Sequence, residues 1–164
     1  MTKIRVLCVG RPRDPVLAGV HDRYAERILA FGVDYASRWV PEIVPGRRFS
    51  DAHVRERESR ALLDALDPRA NAVALDSTGS SWTSEEFAAR LSRWAGPGIC
   101  FLVGGPLGHD ESLRERAVSL WSLSPLTFPH EIVRVLVAEQ VYRSLTILRG
   151  MPYHKGRDAR GSGG

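Results

Sequence analysis

The fold is decided between residues 101 and 155, FLVGGPLGHDESLRERAVSLWSLSPLTFPHEIVRVLVAEQVYRSLTILRGMPYHK. An unbroken apolar run, Ile99 to Val103, closes in Gly104-Gly105-Pro106-Leu107-Gly108. Continuous apolar residues ahead of such a turn read as a central parallel strand, buried on both faces. A second strand-like run over Ser119–Thr127 passes into Ser124-Pro125-Leu126-Thr127-Phe128-Pro129, and Pro129 marks the start of a long apolar helix predicted over His130–Leu148. That helix leads to a short polar tail, Pro152-Tyr153-His154-Lys155. Two strand ends, a helix start and a tail are therefore expected to converge on one pocket.

Working outward, Ile4–Gly10 reads as the first strand. A helix follows, with Asp14 as its N-cap and Pro15 at its first position, running to about Phe31 with Gly32 as its stop. A second strand is predicted over Val33–Val44, and Pro41 and Pro45 suit an edge position. Ser50-Asp51 opens a charged helix over His53–Leu66, whose Arg-Glu-Arg-Glu-Ser-Arg run reads as a solvated face. A third strand, Asn71–Asp76, ends in a turn at Ser77–Ser80. Thr83-Ser84-Glu85-Glu86 has the form of a helix start, with Phe87, Leu91 and Trp94 as the apolar stripe behind it. A short helix is expected over Glu111–Ala117. The order βαβαβαβαβα predicts an α/β fold, a parallel sheet with helices on both faces. Ligands of such sheets bind at the carboxyl ends of the strands. That brings Asp76, Gly104, Gly105 and Leu126–His130 into one neighbourhood. The last helix is apolar around most of its circumference, and the expected cover in a domain this small is a second subunit, a homodimer.

With 164 residues, 43% hydrophobic and 26% charged, the chain suits one soluble domain, read as residues 1–156 with a disordered tail over 157–164. A net charge of +4, dominated by arginine, permits a nucleic-acid partner without requiring one. Cys8 and Cys100 sit in predicted strands without ligand spacing, so they read as buried thiols and no metal is expected. No apolar run approaches the roughly 18 residues of a membrane span. The N-terminus leads straight into a strand, which points to the cytoplasm. The Gly104–Gly108 segment spells neither the dinucleotide GxGxxG nor a P-loop ending, which argues against a nucleotide-dependent oxidoreductase. Its glycines serve either a tight turn or the close approach of an adenosine-type ligand. The rigid, mostly apolar Ser124–Pro129 loop suits a flat aromatic ring. His130 reads equally as a structural or a catalytic histidine, and Arg134 as a phosphate contact or a partner of Glu131 or Glu139. Tyr142 reads as packing. Tyr153, His154 and Lys155 bring together a ring, an imidazole and an ammonium, groups able to stack on a base and contact a phosphate.

Val103-Gly104-Gly105-x-x-Gly108, then SLSPLTFPH, VRVLVAEQVYR and PYHK, in this order and spacing, closely resemble the ribosomal RNA large subunit methyltransferase H family over essentially the whole chain. The resemblance implies a SPOUT-type fold with a C-terminal trefoil knot, a homodimer, and S-adenosylmethionine as methyl donor. The reaction it implies is methylation of N3 of a pseudouridine in helix 69 of 23S rRNA, on the assembled 70S ribosome. It assigns the cofactor to Leu75, Gly104, Ser124, Pro125, Leu126, Thr127, Phe128 and Pro129, and the target base to Tyr153, His154 and Lys155. Catalytic roles fall to His154, Arg134 and Tyr153, with His154 or Arg134 stabilising the imidate anion or His154 acting as base. A non-catalytic ribosome-binding factor on the same fold, or a relative acting on tRNA, are the alternatives.

Overall fold

The computed structural model describes residues 1–46 and 48–154. Arg47, Lys155 and the expected tail over 157–164 lie outside the described residues. Ten elements alternate along the chain: β1 (Lys3–Val9), α1 (Pro15–Leu29), β2 (Asp34–Val40), α2 (Asp51–Ala65), β3 (Asn71–Ser80), α3 (Ser84–Trp94), β4 (Ile99–Val103), α4 (Glu111–Arg116), β5 (Ser119–Trp121) and α5 (His130–Leu148). The sheet is wholly parallel, in the order β2-β1-β4-β3-β5.

Side chains alternate across this sheet with the two-residue period of a strand, so each strand feeds two cores. Ile4, Val6, Cys8, Val73, Phe101 and Val103 pack with Ile28, Phe87, Leu91, Val137 and Val141 from α1, α3 and α5. Leu7, Val9, Ala72, Ala74 and Leu102 face Leu62 and Leu113 from α2 and α4. Every residue of β4 is buried, as a central strand covered on both sides requires. The helix starts follow their local signals. Asp14 accepts from the amides of Val16 and Leu17, Ser50 from that of His53, and Thr83 and Glu86 form a reciprocal capping box.

Three boundaries differ from the sequence reading. β2 stops at Val40, because Pro41 has no N–H to continue the ladder. β5 covers only Ser119–Trp121 and does not reach Thr127. Beyond it the chain bonds to itself: the Ser122 hydroxyl donates to the Ser124 carbonyl (3.1 Å) and the Leu126 amide donates to the Ser124 hydroxyl (3.0 Å), which competes with strand pairing. The turn expected at 77–80 is instead extended chain. β3 breaks register after Leu75 and pairs again at Ser80, and both residues lie opposite Trp121. Here a Cβ on Gly79 would stand 2.5 Å from the Leu120 carbonyl carbon and oxygen, so backbone lies directly on backbone and no side chain fits.

Candidate cofactor and active site

The carboxyl ends of β3 and β4 and the loop entering α5 enclose a cavity of about 770 Å³, a size suited to a small-molecule ligand. Its walls are Leu75–Thr78, Val103–His109 and Thr127–His130, with Arg55, Arg114 and Val133. Of the residues the sequence assigns to a cofactor, Leu75, Gly104, Thr127, Phe128 and Pro129 line it. Ser124, Pro125 and Leu126 do not. They form the hydrogen-bonded turn that delivers Thr127–Pro129 to the wall.

One side of the cavity is polar. The Asp76 carboxylate, whose side chain is only 8% exposed, accepts from the Arg114 guanidinium, the Thr78 amide (2.9 Å) and the Thr78 hydroxyl (2.7 Å). Burial pushes its pKa up, but these bonds and the Arg114 charge prevail and hold it below the usual carboxylate range. Beside it, His109 is 7% exposed and neither ring nitrogen has a hydrogen-bond partner in the described structure. Burial lowers the imidazole pKa against the opposing charge of Asp76 and the nearby carbonyls of Leu102 and Leu75.

The glycine turn explains itself from within the protein. A Cβ on Gly104 would meet His109 Cε1 at 2.9 Å, and one on Gly105 would meet Glu58 Oε2 at 2.6 Å. Gly108 takes φ 76° and donates its amide to the Gly105 carbonyl (3.0 Å), closing the turn. The bare backbone thus admits two buried polar side chains of the chain itself. Glu58 accepts from the Ile43 amide through Oε1 (2.8 Å), whereas Oε2 has no partner. Burial, reinforced by Glu42, raises its pKa against the Ile43 bond and the His130 charge. His130 lines the cavity at the head of α5, its Nε2 placed 3.2 Å from where a Gly10 Cβ would be.

The remaining expected residues lie elsewhere. Arg134 points to α1 and β2, its Nε donating to the Ser37 hydroxyl (2.9 Å) and its terminal nitrogen meeting His21 Nδ1 (3.1 Å). Tyr153 donates to Glu139 (3.2 Å), packs edge-on to Tyr142, and carries the Arg143 guanidinium over its ring. His154 bridges Glu85 (2.7 Å) and Arg143 (3.2 Å). None of these partners lines the cavity. Arg143 follows His130 by thirteen positions, about 20 Å along a helix axis. Tyr142 packs with Tyr24 and Phe31, as expected of it. The sequence reading missed His109, Arg114, Arg55 and Glu58, which reach the site only through strand register and helix packing. The one local clue was Asp76 at a strand end.

The family described as "Predicted SPOUT methyltransferase" matches residues 2–154. The chain belongs to that family. Within it, the chain groups with proteins named ribosomal RNA large subunit methyltransferase H. It is 44% identical over 159 residues to the one from Gluconacetobacter diazotrophicus, covering 95% of this chain and 100% of that one. It is 42% identical over 154 residues to the one from Gloeobacter violaceus, covering 94% and 99%. Among solved structures, this SPOUT methyltransferase superposes on a probable methylase family protein from Haemophilus influenzae with a TM-score of 0.54 at 10% identity, covering 94% of this chain and 70% of that one. A probable methyltransferase from Bordetella pertussis gives 0.50 at 19% identity, covering 88% and 95%. These structures support the fold. Among the described residues no cluster of three or more His, Cys, Asp or Glu is placed to hold a metal ion, and no helix is long and apolar enough to cross a membrane.

Proposed function

We propose that this protein transfers a methyl group from S-adenosylmethionine to ribosomal RNA, and that its target is N3 of a pseudouridine in helix 69 of 23S rRNA on the assembled 70S ribosome. The observation that carries the reading is the meeting, in one cavity, of the Leu75-Asp76 strand end, the Gly104–Gly108 turn and the Thr127–His130 loop. These are the segments that hold the motifs shared with the methyltransferase H proteins.

The residues present fit such a cofactor. The Thr127–Pro129 loop offers an apolar, stiff wall for a flat base, and Leu75 and Gly104 form the opposing strand ends. Asp76 and Arg114 present a carboxylate and a guanidinium for a zwitterionic amino-acid group, and His109 presents unpartnered polar atoms. Ser124, Pro125 and Leu126 set the loop's shape. When bound, S-adenosylmethionine supplies a methyl group on a positively charged sulfur, open to in-line attack.

The protein's own work is to hold the target base and manage its imide proton. His154 takes that proton or, with Arg134, stabilises the anion that its loss leaves on the base. Tyr153 and Lys155 frame the base. Because His154 and Tyr153 are bonded about 20 Å along α5 from their own cavity, we assign them to the cavity of a second copy. Ile132, Val135 and Leu136 remain partly exposed in the single chain, and a homodimer packed on α5 would cover them. A C-terminal trefoil knot belongs to the same reading. The contact between Gly79 and the Leu120 backbone is how a strand threaded beneath the 76–80 segment would lie.

Incubating the protein with tritiated S-adenosylmethionine and 70S ribosomes, separate subunits, naked 23S rRNA or tRNA tests the substrate. Label in 23S rRNA from 70S ribosomes alone is the expected result. Label in tRNA alone would overturn the rRNA assignment. Calorimetric binding of S-adenosylmethionine without any transfer would favour a non-catalytic ribosome-binding factor.

A further inference from the structure

We infer that His109 hydrogen-bonds a ribose hydroxyl of the adenosyl ligand and makes the cavity selective for an intact ribose diol. The inference rests on reading the cavity as an S-adenosylmethionine site.

The argument starts from an unmet demand. A buried polar side chain nearly always has a hydrogen-bond partner, yet His109 forms part of the cavity wall at 7% exposure with both nitrogens unpaired. A neutral imidazole carries one donor and one acceptor. The carbonyls of Leu75 and Leu102 lie alongside the ring, but they can serve only its single N–H. Asp76 is already engaged by Arg114 and Thr78. The second nitrogen therefore lacks a donor, and nothing in the wall provides one.

A hydroxyl answers that demand, since it donates and accepts and carries no charge. The ligand's ammonium is better matched by the Asp76 carboxylate, and its base by the apolar Thr127–Pro129 loop. That leaves the sugar for His109. The Gly104 contact supports a fixed ring position. A Cβ there would come within 2.9 Å of Cε1 and 3.2 Å of Nδ1, so glycine preserves the space that the imidazole occupies.

Calorimetry with S-adenosylhomocysteine and its 2′-deoxy and 3′-deoxy forms tests this on the full chain. Wild type should bind one deoxy form about five- to tenfold more weakly than the parent, the range for one neutral hydrogen bond. His109→Leu should lose a similar factor for the parent and no longer discriminate. His109→Gln, which keeps a donor and an acceptor, should recover part of the discrimination. Thermal melting checks that each variant is folded. Equal binding of all three ligands by wild type would overturn the inference, as would undiminished discrimination in His109→Leu. A folded wild type that binds S-adenosylmethionine and shows no diol preference sinks the His109 role alone. One that binds no adenosyl compound sinks the cavity assignment, and this inference with it.

Discussion

The two ends of α5 are built differently. At its head, His130 joins a cavity whose walls are strand ends and turns, fixed by backbone contact: Gly79 against Leu120, and Gly104 and Gly105 against buried side chains. At its foot, Tyr153 and His154 are held by side chains alone, and the Glu85 carboxylate that receives His154 is 57% exposed. Surface ion pairs of that kind contribute little to stability. The difference teaches that one end is shaped before any ligand arrives, while the other can exchange its partners with little loss. That suits a cofactor site at the head and a movable substrate contact at the foot.

The largest expected effect breaks the rigid end. Gly79→Val would drive a branched side chain into the Leu120 backbone, which cannot retreat as a flexible side chain would. We expect a loss of more than about 3 kcal/mol, or no folded protein, in denaturant unfolding. A variant as stable as wild type would show that the β3–β5 crossing is not tightly packed. Next in size, His154→Ala should lower single-turnover methyl transfer by about 100-fold, the low end for a lost acid–base group. Its affinity for S-adenosylmethionine should stay within about twofold, because the tail does not line its own cavity. Full turnover in this variant would remove His154 from the mechanism, and a parallel loss of cofactor affinity would erase the contrast between the two ends.

How far the sequence carried the reading follows the same division. Asp14, Ser50 and Thr83 announced their helices because a cap is a contact between neighbours in sequence, and the bounds of α5 were legible for the same reason. β5 was overextended because the apolar spacing through Leu123 and Leu126 mimics a strand, whereas the serine bonds that end it carry no periodic signature. The Thr127–Pro129 wall was found through its motif and its place before a helix. The Asp76–Arg114 pair and the stacking of His109 on Gly104 were not, since they depend on Leu75 lying opposite Val103 in the sheet. Single-chain periodicity does not report that register.

Within the rigid end, two buried carboxylates sharpen the comparison by behaving oppositely with pH. Asp76 is satisfied by Arg114 and Thr78 and its pKa is lowered. Its contribution is therefore fully present above the unfolded value near 4 and is lost as pH falls through the lower folded value. Asp76→Asn should remove about 2 kcal/mol at pH 7, the scale of a hydrogen bond to a charged group, and flatten the acid limb of the stability curve. An acid limb unchanged in the variant would mean that the ion pair is not formed in solution.

Glu58 gives the smallest and most diagnostic effect. Its Oε2 is buried without a partner beside Gly105, and its pKa is raised, so the folded state holds the proton more tightly than the unfolded chain does. The sign is then reversed: stability falls as pH climbs from the ordinary glutamate value to the raised folded one, and the loss is complete above it. Glu58→Gln keeps an acceptor for the Ile43 amide and removes the titration. We expect it to match wild type at low pH, to equal or exceed it by less than about 1 kcal/mol at pH 8, and to lose the downward slope between. A variant markedly less stable than wild type at pH 8 would mean that Glu58 is ionised and paired in the folded state, and that the glycine turn is held by charge instead of by a neutral acid.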